Sequence, residues 1–412
     1  MFVLYNLVVF LADLALRFLA LISAKMKLFI DGRKDVFEKL SVAISATDQT
    51  IWFHAASLGE YEQGLPVIEA MRLKFPEHKI ILTFFSPSGY EVRKNNTAAD
   101  VTLYLPLDSA ANARRFVALA HPDLVFFVKY EYWPNYLKEL KNKHIRTFLI
   151  SGIFRENQLF FKWYGAFYRQ ALDSFEHFFV QNAASEKLLR SLGKTNISLS
   201  GDTRFDRVAA ILEKDNYLPF IEAFKNHTLT LVVGSSWPKD EEILVDFINQ
   251  TSENIKFIIA PHNIKAEQIE SLKNLIKRKV ILFSEKDTHN LADFDVFIID
   301  TIGILTKIYS AADLAYVGGG FGNPGVHNVL EPATFGLPIL IGPNYSHFAE
   351  ATELVQLGGC ISVQNADQLK TELEKLIQDI NYRNNKGQIC ASFVQQNKGA
   401  TRNILSYFDT QN

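Results

Sequence analysis

The 412-residue chain is 48% apolar and 21% charged with a net charge of −2, a globular composition that excludes a disordered chain. Its length exceeds what one core usually fills, so two domains are expected. The two cysteines, Cys360 and Cys390, lie in no CxxC or Cys/His ligand spacing, which argues against a disulfide scaffold or zinc site and fits a reducing compartment.

The first 23 residues are mostly apolar, broken by Asp13 and Arg17. These two stand four apart and can pair on one helical face. A signal peptide would need a basic start, which is missing. A spanning helix suits the length, but two charges inside it are costly in lipid. Lys25, Lys27, Arg33 and Lys34 follow, as on the cytoplasmic side of an anchor. The reading is a membrane-associated helix with its basic flank over residues 1–34; a buried helix of the first domain is the alternative. Charge is uneven beyond it: residues 1–205 carry 25 Lys and Arg against 20 Asp and Glu, and residues 206–412 carry 18 against 25. A net +5 followed by −7 points to an acidic partner for the first half, a membrane surface or a phosphorylated substrate.

From residue 50, apolar runs alternate with segments of helical spacing. IWFHAAS, KIILTFF, VTLYLP, DLVFFV, RTFLISG, HFFVQN and ISLSG read as buried parallel strands. Residues 206–227 interrupt the series, which resumes with TLTLVVGSS, IKFIIAPH, KVILFSE, DVFIID, LAYVGGG and LPILIGP. Two successive βα series predict two doubly wound α/β domains facing a central cleft, over 35–205 and 206–395. Residues 396–412 form a helix that can return to the first domain.

Ligands of such sheets bind beyond the carboxyl ends of the strands, and several polar clusters fall there. In HAASLGE, Ser57 and Gly59 turn the chain and Glu60 enters the first turn of a helix. That carboxylate can act as a general base or merely complement the helix dipole. Glu131 in KYEYWPN can bind sugar hydroxyls or pair with Lys129 or Arg155. Arg204 in GDTRFD can reach an anionic ligand. In the second half, Ser235 and Ser236 precede a helix that opens at Pro238, a phosphate-binding arrangement. His262 and Asn263 tip the next strand, and Gly303 and Tyr309 fall on a short helix. GGGFGNPG, with Gly319 and Gly320, reads as an anion-binding loop leading into a helix VHNVLEPATFG. On that helix His327, Asn328 and Glu331 would share one face, and Glu331 could accept both hydroxyls of a ribose. Neither GxGxxG with a following acid nor GxxxxGK[ST] is matched, which weakens dinucleotide and P-loop readings.

HAASLGE, KYEYWPN, GDTRFD, GSSWPKDEE, IGILTKIYSAADLAYVGGG and GVHNVLEPATFGLPILIGP, in this order, resemble the 3-deoxy-D-manno-octulosonic acid (Kdo) transferase family. The likeness covers nearly the whole chain. It implies a GT-B fold and transfer of Kdo from CMP-Kdo to a sugar hydroxyl of a lipid A precursor, with inversion, in lipopolysaccharide biosynthesis. It implies no cofactor or metal, no nucleic-acid partner, and a place on the cytoplasmic face of the inner membrane. By the same resemblance Glu60 is the catalytic base. Asn328, Glu331, Gly319, Gly320, Ser235, Ser236 and His262 serve the donor, and Ser57, Gly59, Glu131 and Arg204 the acceptor. The chain departs from the family where Pro261 is followed by His262 and Asn263, without the arginine of many members. Val326 likewise replaces a second glycine before His327, and the segment with Ser88 lacks an arginine that some members carry. The nearest alternative is a GT-B transferase or epimerase using a UDP-sugar.

Overall fold

A computed structural model describes residues 1–409 of the chain. It divides into two compact units, Met1–Arg207 with the segment from Lys398 on, and Val208–Asn397. The first holds β1 (Thr50–Ala55), β2 (Lys79–Phe84), β3 (Val101–Tyr104), β4 (Leu124–Val128), β5 (Arg146–Gly152), β6 (His177–Val180) and β7 (Ile197–Leu199). The second holds β8 (Leu229–Ser236), β9 (Ile255–Pro261), β10 (Val280–Leu282), β11 (Val296–Ile298), β12 (Leu314–Val317), β13 (Ile339–Ile341) and β14 (Cys360–Ser362). Thirteen of these coincide with runs read from the sequence. The fourteenth, three residues at a sheet edge, has no apolar run to announce it.

Each sheet is wholly parallel. The orders are β3-β2-β1-β4-β5-β6-β7 and β10-β11-β9-β8-β12-β13-β14. The chain therefore reverses direction across its sheet between β1 and β4, and again between β8 and β12. Ligands of doubly wound sheets bind at the carboxyl ends of the strands flanking such a reversal.

The strands are continuous apolar runs because helices cover both faces of each sheet. Every residue of β4 is buried. Phenylalanines in register form a ladder through the first core: Phe53 on Phe126 at 4.7 Å, Phe126 on Phe148 at 5.3 Å, and Phe148 against Phe408 at 4.9 Å. Each such ring contributes about 1.5–3 kcal/mol by leaving water. Phe408 belongs to the helix Ala400–Asp409, which packs on this sheet's helix Leu58–Lys74. The Asp206 carboxylate accepts from the Thr401 amide (2.6 Å) and hydroxyl (2.8 Å), fastening that helix's first turn.

The N-terminal helix, Phe2–Leu19, is amphipathic in an inverted sense. Its half-covered positions are Phe2, Tyr5, Asn6, Val9, Asp13 and Leu16, a single stripe at helical spacing that contains its polar residues other than Arg17. Tyr5 donates to Asp108 (2.8 Å), while the Asn6 side-chain carbonyl accepts from the Ala110 amide (3.2 Å) and the Asn135 side chain (3.1 Å). Outward stand Val3, Leu4, Leu7, Val8, Phe10 and Phe18, each 51–86% exposed. None of the helix is buried, so the buried-helix alternative falls. Its length and hydropathy suffice to cross a membrane. Asp13 and Arg17 pair at 2.8 Å, as their spacing implied.

Candidate active site

The first reversal point lies at the carboxyl ends of β1 and β4. Glu60 stands just past β1, in the first turn of the helix Leu58–Lys74. Ser57 occupies the N-cap position, but its hydroxyl donates to the Glu60 carboxylate rather than serving the backbone. The opening amides of the helix have no intrahelical acceptor and present positive charge at the edge. Gly59 does not turn the chain, contrary to expectation. It lies inside the helix, and a methyl group there would meet only the Ser57 hydroxyl, at 3.8 Å. Its bare backbone leaves space at the helix start.

Cations gather beside Glu60. Tyr130, just past β4, has the Lys129 ammonium 5.1 Å and the Arg155 guanidinium 5.6 Å from its ring. Burial raises the pKa of its hydroxyl, and the charges of Arg155, Glu60 and Arg204 all act on it. Arg204 is held by Asp202 at 2.7 Å and stays beside this cluster.

Glu131 stands just past β4, where the sequence put it. It is buried, accepting from Trp133 Nε1 at 2.7 Å and lying 3.1 Å from His54 Nε2. His54 Nδ1 meets the Thr83 hydroxyl at 2.8 Å, and Thr83 accepts from Trp52 Nε1 at 2.8 Å. A carboxylate in this network supports the edge from beneath. The sequence marked Glu131 as polar at a strand end, but His54 inside β1 was its unread partner. A histidine ending an otherwise apolar strand is the signal that could have revealed it.

The second reversal point is built differently. Gly318 sits where a methyl group would lie 2.4 Å from the Ser235 carbonyl, and Gly320 where one would lie 2.6 Å from the Gly342 amide. Gly319 has φ +93°, and its amide donates to Asp240 at 2.8 Å. Asp240, fully buried, also accepts from the Trp237 amide (3.0 Å) and the Tyr316 hydroxyl (2.8 Å). Close packing is thus a use of these glycines that the anion-cradle expectation for Gly319 and Gly320 did not include. Gly318 and Gly320 press against neighbouring backbone, and the Gly319 amide already has an acceptor.

Ser236 is turned inward. It is buried and donates to Glu241 at 2.8 Å, and burial raises the Glu241 pKa. The first turn of the helix Pro238–Gln250 thus holds two carboxylates of its own, Asp240 and Glu241, where a phosphate was expected.

An open pocket lies one layer out. A cavity of about 270 Å³ is lined by Ser235, Gly303, Thr306, Tyr309, His327, Asn328 and Glu331. The helix after the glycine loop begins only at Leu330, so His327, Asn328 and Glu331 do not share a helical face. The reason is local: the Asn328 side-chain oxygen accepts from the Leu330 amide (3.1 Å), holding a turn before the helix. That turn still places Asn328 Nδ2 2.9 Å from Glu331 Oε1, while Thr306 donates to Oε2 at 2.8 Å. Gly303 precedes its short helix, Leu305–Ile308, at φ +91°.

His327 swings to the other side. Its Nε2 accepts from Trp237 Nε1 at 2.9 Å, which puts its proton on Nδ1; burial, with His262 beside it, lowers its pKa. His262 is exposed and stacks on Trp237 at 4.7 Å and near His327 at 4.5 Å. These three rings form a flat platform beside the cavity that no sequence spacing announced.

Two doubly wound units with polar chemistry at each reversal point are the GT-B architecture of glycosyltransferases and related sugar-nucleotide enzymes. UDP-GlcNAc 2-epimerase from Neisseria meningitidis shares this fold with a TM-score of 0.62 at 14% identity, covering 88% of this chain and 100% of that one. MurG from Acinetobacter baumannii does so at 0.54 and 13%, covering 88% and 100%. The family model described as 3-deoxy-D-manno-octulosonic-acid transferase (kdotransferase) matches residues 33–207. The 3-deoxy-D-manno-octulosonic acid transferase of Haemophilus influenzae is 26% identical over 418 residues, 97% of this chain and 96% of its own. That of Chlamydophila psittaci is 29% identical over 331 residues, 77% and 75% of the two chains. The chain is similar to Kdo transferases over most of its length, and it is a glycosyltransferase.

Proposed function

We propose that the enzyme moves Kdo from CMP-Kdo to a sugar hydroxyl of a lipid A precursor at the cytoplasmic face of the inner membrane. The observation that carries this reading is the placement of the apolar helix. Tyr5 and Asn6 bind Asp108, Ala110 and Asn135, which follow β3 and β4 at the same carboxyl edge where Glu60 follows β1. A run of rings links the two places: Phe29 to Phe85 at 5.2 Å and Phe85 to Trp133 at 4.6 Å, with Trp133 bound to Glu131. An acceptor embedded in lipid beside the exposed face of Phe2–Leu19 thus meets the candidate base at that edge. Lys25, Lys27 and Lys34 follow the helix and favour the anionic cytoplasmic leaflet.

Glu60 takes the proton of the acceptor hydroxyl as its oxygen attacks the anomeric carbon of Kdo; the bond to CMP breaks and configuration inverts. Lys129, Arg155 and Arg204 suit the phosphates of the acceptor. Glu331, oriented by Asn328 and Thr306, accepts the ribose hydroxyls, with Ser235 beside it. No resident cofactor or metal is needed for this displacement. Incubating the enzyme with labelled CMP-Kdo and a lipid A precursor should give a product heavier by whole Kdo units by mass spectrometry. Tighter calorimetric binding of UDP than of CMP would overturn the donor assignment.

A further inference from the structure

We propose that the seam between the N-terminal helix and the first unit holds one anionic glycerophospholipid of the bilayer, at a site separate from Glu60. A cavity of about 540 Å³ opens there, a size that encloses a small ligand or a single chain. Val9, Phe10, Ile30 and Phe37 give it apolar walls.

Its rim is cationic. Arg17, Arg33 and Lys34 line it against one carboxylate, Asp13. Asp13 pairs with Arg17, and Lys34 pairs with Asp31 at 2.6 Å. Arg33 is the unusual member. Its guanidinium donates to the carbonyls of Leu105 (2.9 Å), Phe29 (2.7 Å) and Phe85 (2.6 Å) and lies 3.6 Å from the Phe29 ring and 4.8 Å from that of Tyr104. Three of its five donors are thereby used on neutral partners, and no carboxylate among the described residues bonds to it. Burial draws its pKa down to about 9, the mark of a cation stripped of water without a counter-charge.

Ser109 to Asn112, the start of the helix Ala110–Ala120, close the cavity. The positive end of that eleven-residue helix adds to the same field. A phosphate at this rim, with one chain between Val9 and Phe37 and the other against the outer face of the helix, satisfies the charge and the apolar wall together. The free bilayer is the source because the cavity's apolar wall includes the helix whose exposed apolar face the proposed function sets in lipid.

The test uses the full chain in non-ionic detergent with phosphatidylglycerol or phosphatidylcholine, read by native mass spectrometry. One phosphatidylglycerol should be retained per chain, with phosphatidylcholine held about tenfold less, since each nearby cation contributes roughly fivefold. Lys34→Glu should abolish the preference, and Val9→Trp, which fills the cavity, should lower retention of both lipids. Thermal melting separates either effect from misfolding, and Phe10→Trp at the cavity mouth provides a second filling variant should Val9→Trp fail to fold. Equal retention of the two lipids, or unchanged retention in a folded filling variant, would overturn the site. Displacement of phosphatidylglycerol by one equivalent of lipid A precursor would also overturn it, reassigning the cavity to the acceptor. None of these readouts depends on transfer, so the outcome is independent of the reading of Glu60.

Discussion

The two reversal points occupy the same place in two similar sheets, yet they use their backbone in opposite ways. At β1 and β4 the backbone is open: Gly59 has empty space around it, and the opening amides of its helix face the edge. At β8 and β12 the backbone is closed, with Gly318 and Gly320 pressed against Ser235 and Gly342 and the Gly319 amide given to Asp240. The difference fits the proposed division of work. An open helix start beside a carboxylate suits a reaction that must admit a second substrate, whereas a closed loop sets side chains such as Asn328 and Glu331 at fixed distances. Glycine richness therefore does not identify a phosphate site by itself; the partner of each amide decides.

The sharpest break of this comparison is Glu60→Ala. If the first point performs the proton transfer, the rate should fall about 10²–10⁴-fold, while CMP binding measured by calorimetry stays unchanged. Transfer at near wild-type rate would remove the base from the first unit altogether. Next comes Gly320→Ala, which tests closure at the second point. A methyl group 2.6 Å from the Gly342 amide must displace backbone, so a loss of roughly 3 kcal/mol is expected in thermal or denaturant melting. An unchanged melt would mean that the loop has room to yield.

These two residues also show what could be read from sequence. The sheets were legible because buried parallel strands must be apolar throughout, and LVFFV or LTLVVG cannot hide that. The place of Glu60 in the first turn was legible because an acidic residue three positions past an N-cap has a fixed direction. The roles of Gly318 to Gly320 were not, since the same glycines serve close packing or anion binding, and only the distance to Gly342 separates the two. The burial of Glu131 was hidden for a related reason: its partner His54 lies 77 positions away, a pairing set by strand order. The platform of Trp237, His262 and His327 joins three loops and has no local signature. The helical face drawn through His327 and Glu331 failed because one asparagine side chain, Asn328, stops the helix short.

A smaller effect is expected from Glu331→Gln. The carboxylate geometry with Asn328 and Thr306 persists in outline, but one charge-assisted contact to the donor is lost, about 1.5–3 kcal/mol. Titration of CMP should show affinity falling about 10- to 100-fold, with little change in the melting temperature. Should the turnover number fall while CMP affinity holds, Glu331 would belong to the chemistry instead, and the division between the two points would blur.

The smallest effect carries the most specific information. Gly59→Ala places a methyl group in open space within a helix, so stability should rise by about 0.5–1 kcal/mol through a stiffer unfolded chain and a better helix former. Structure alone gives no reason for glycine there. If the open start of the helix admits the acceptor, the same methyl group must raise the KM for lipid acceptor while leaving CMP affinity and the melting gain intact. Opposite signs in stability and acceptor use would show that the bare backbone at the first point is kept for a ligand. A gain in stability with unaltered KM would instead make Gly59 dispensable and leave Ser57, Glu60 and the neighbouring cations to define the acceptor edge.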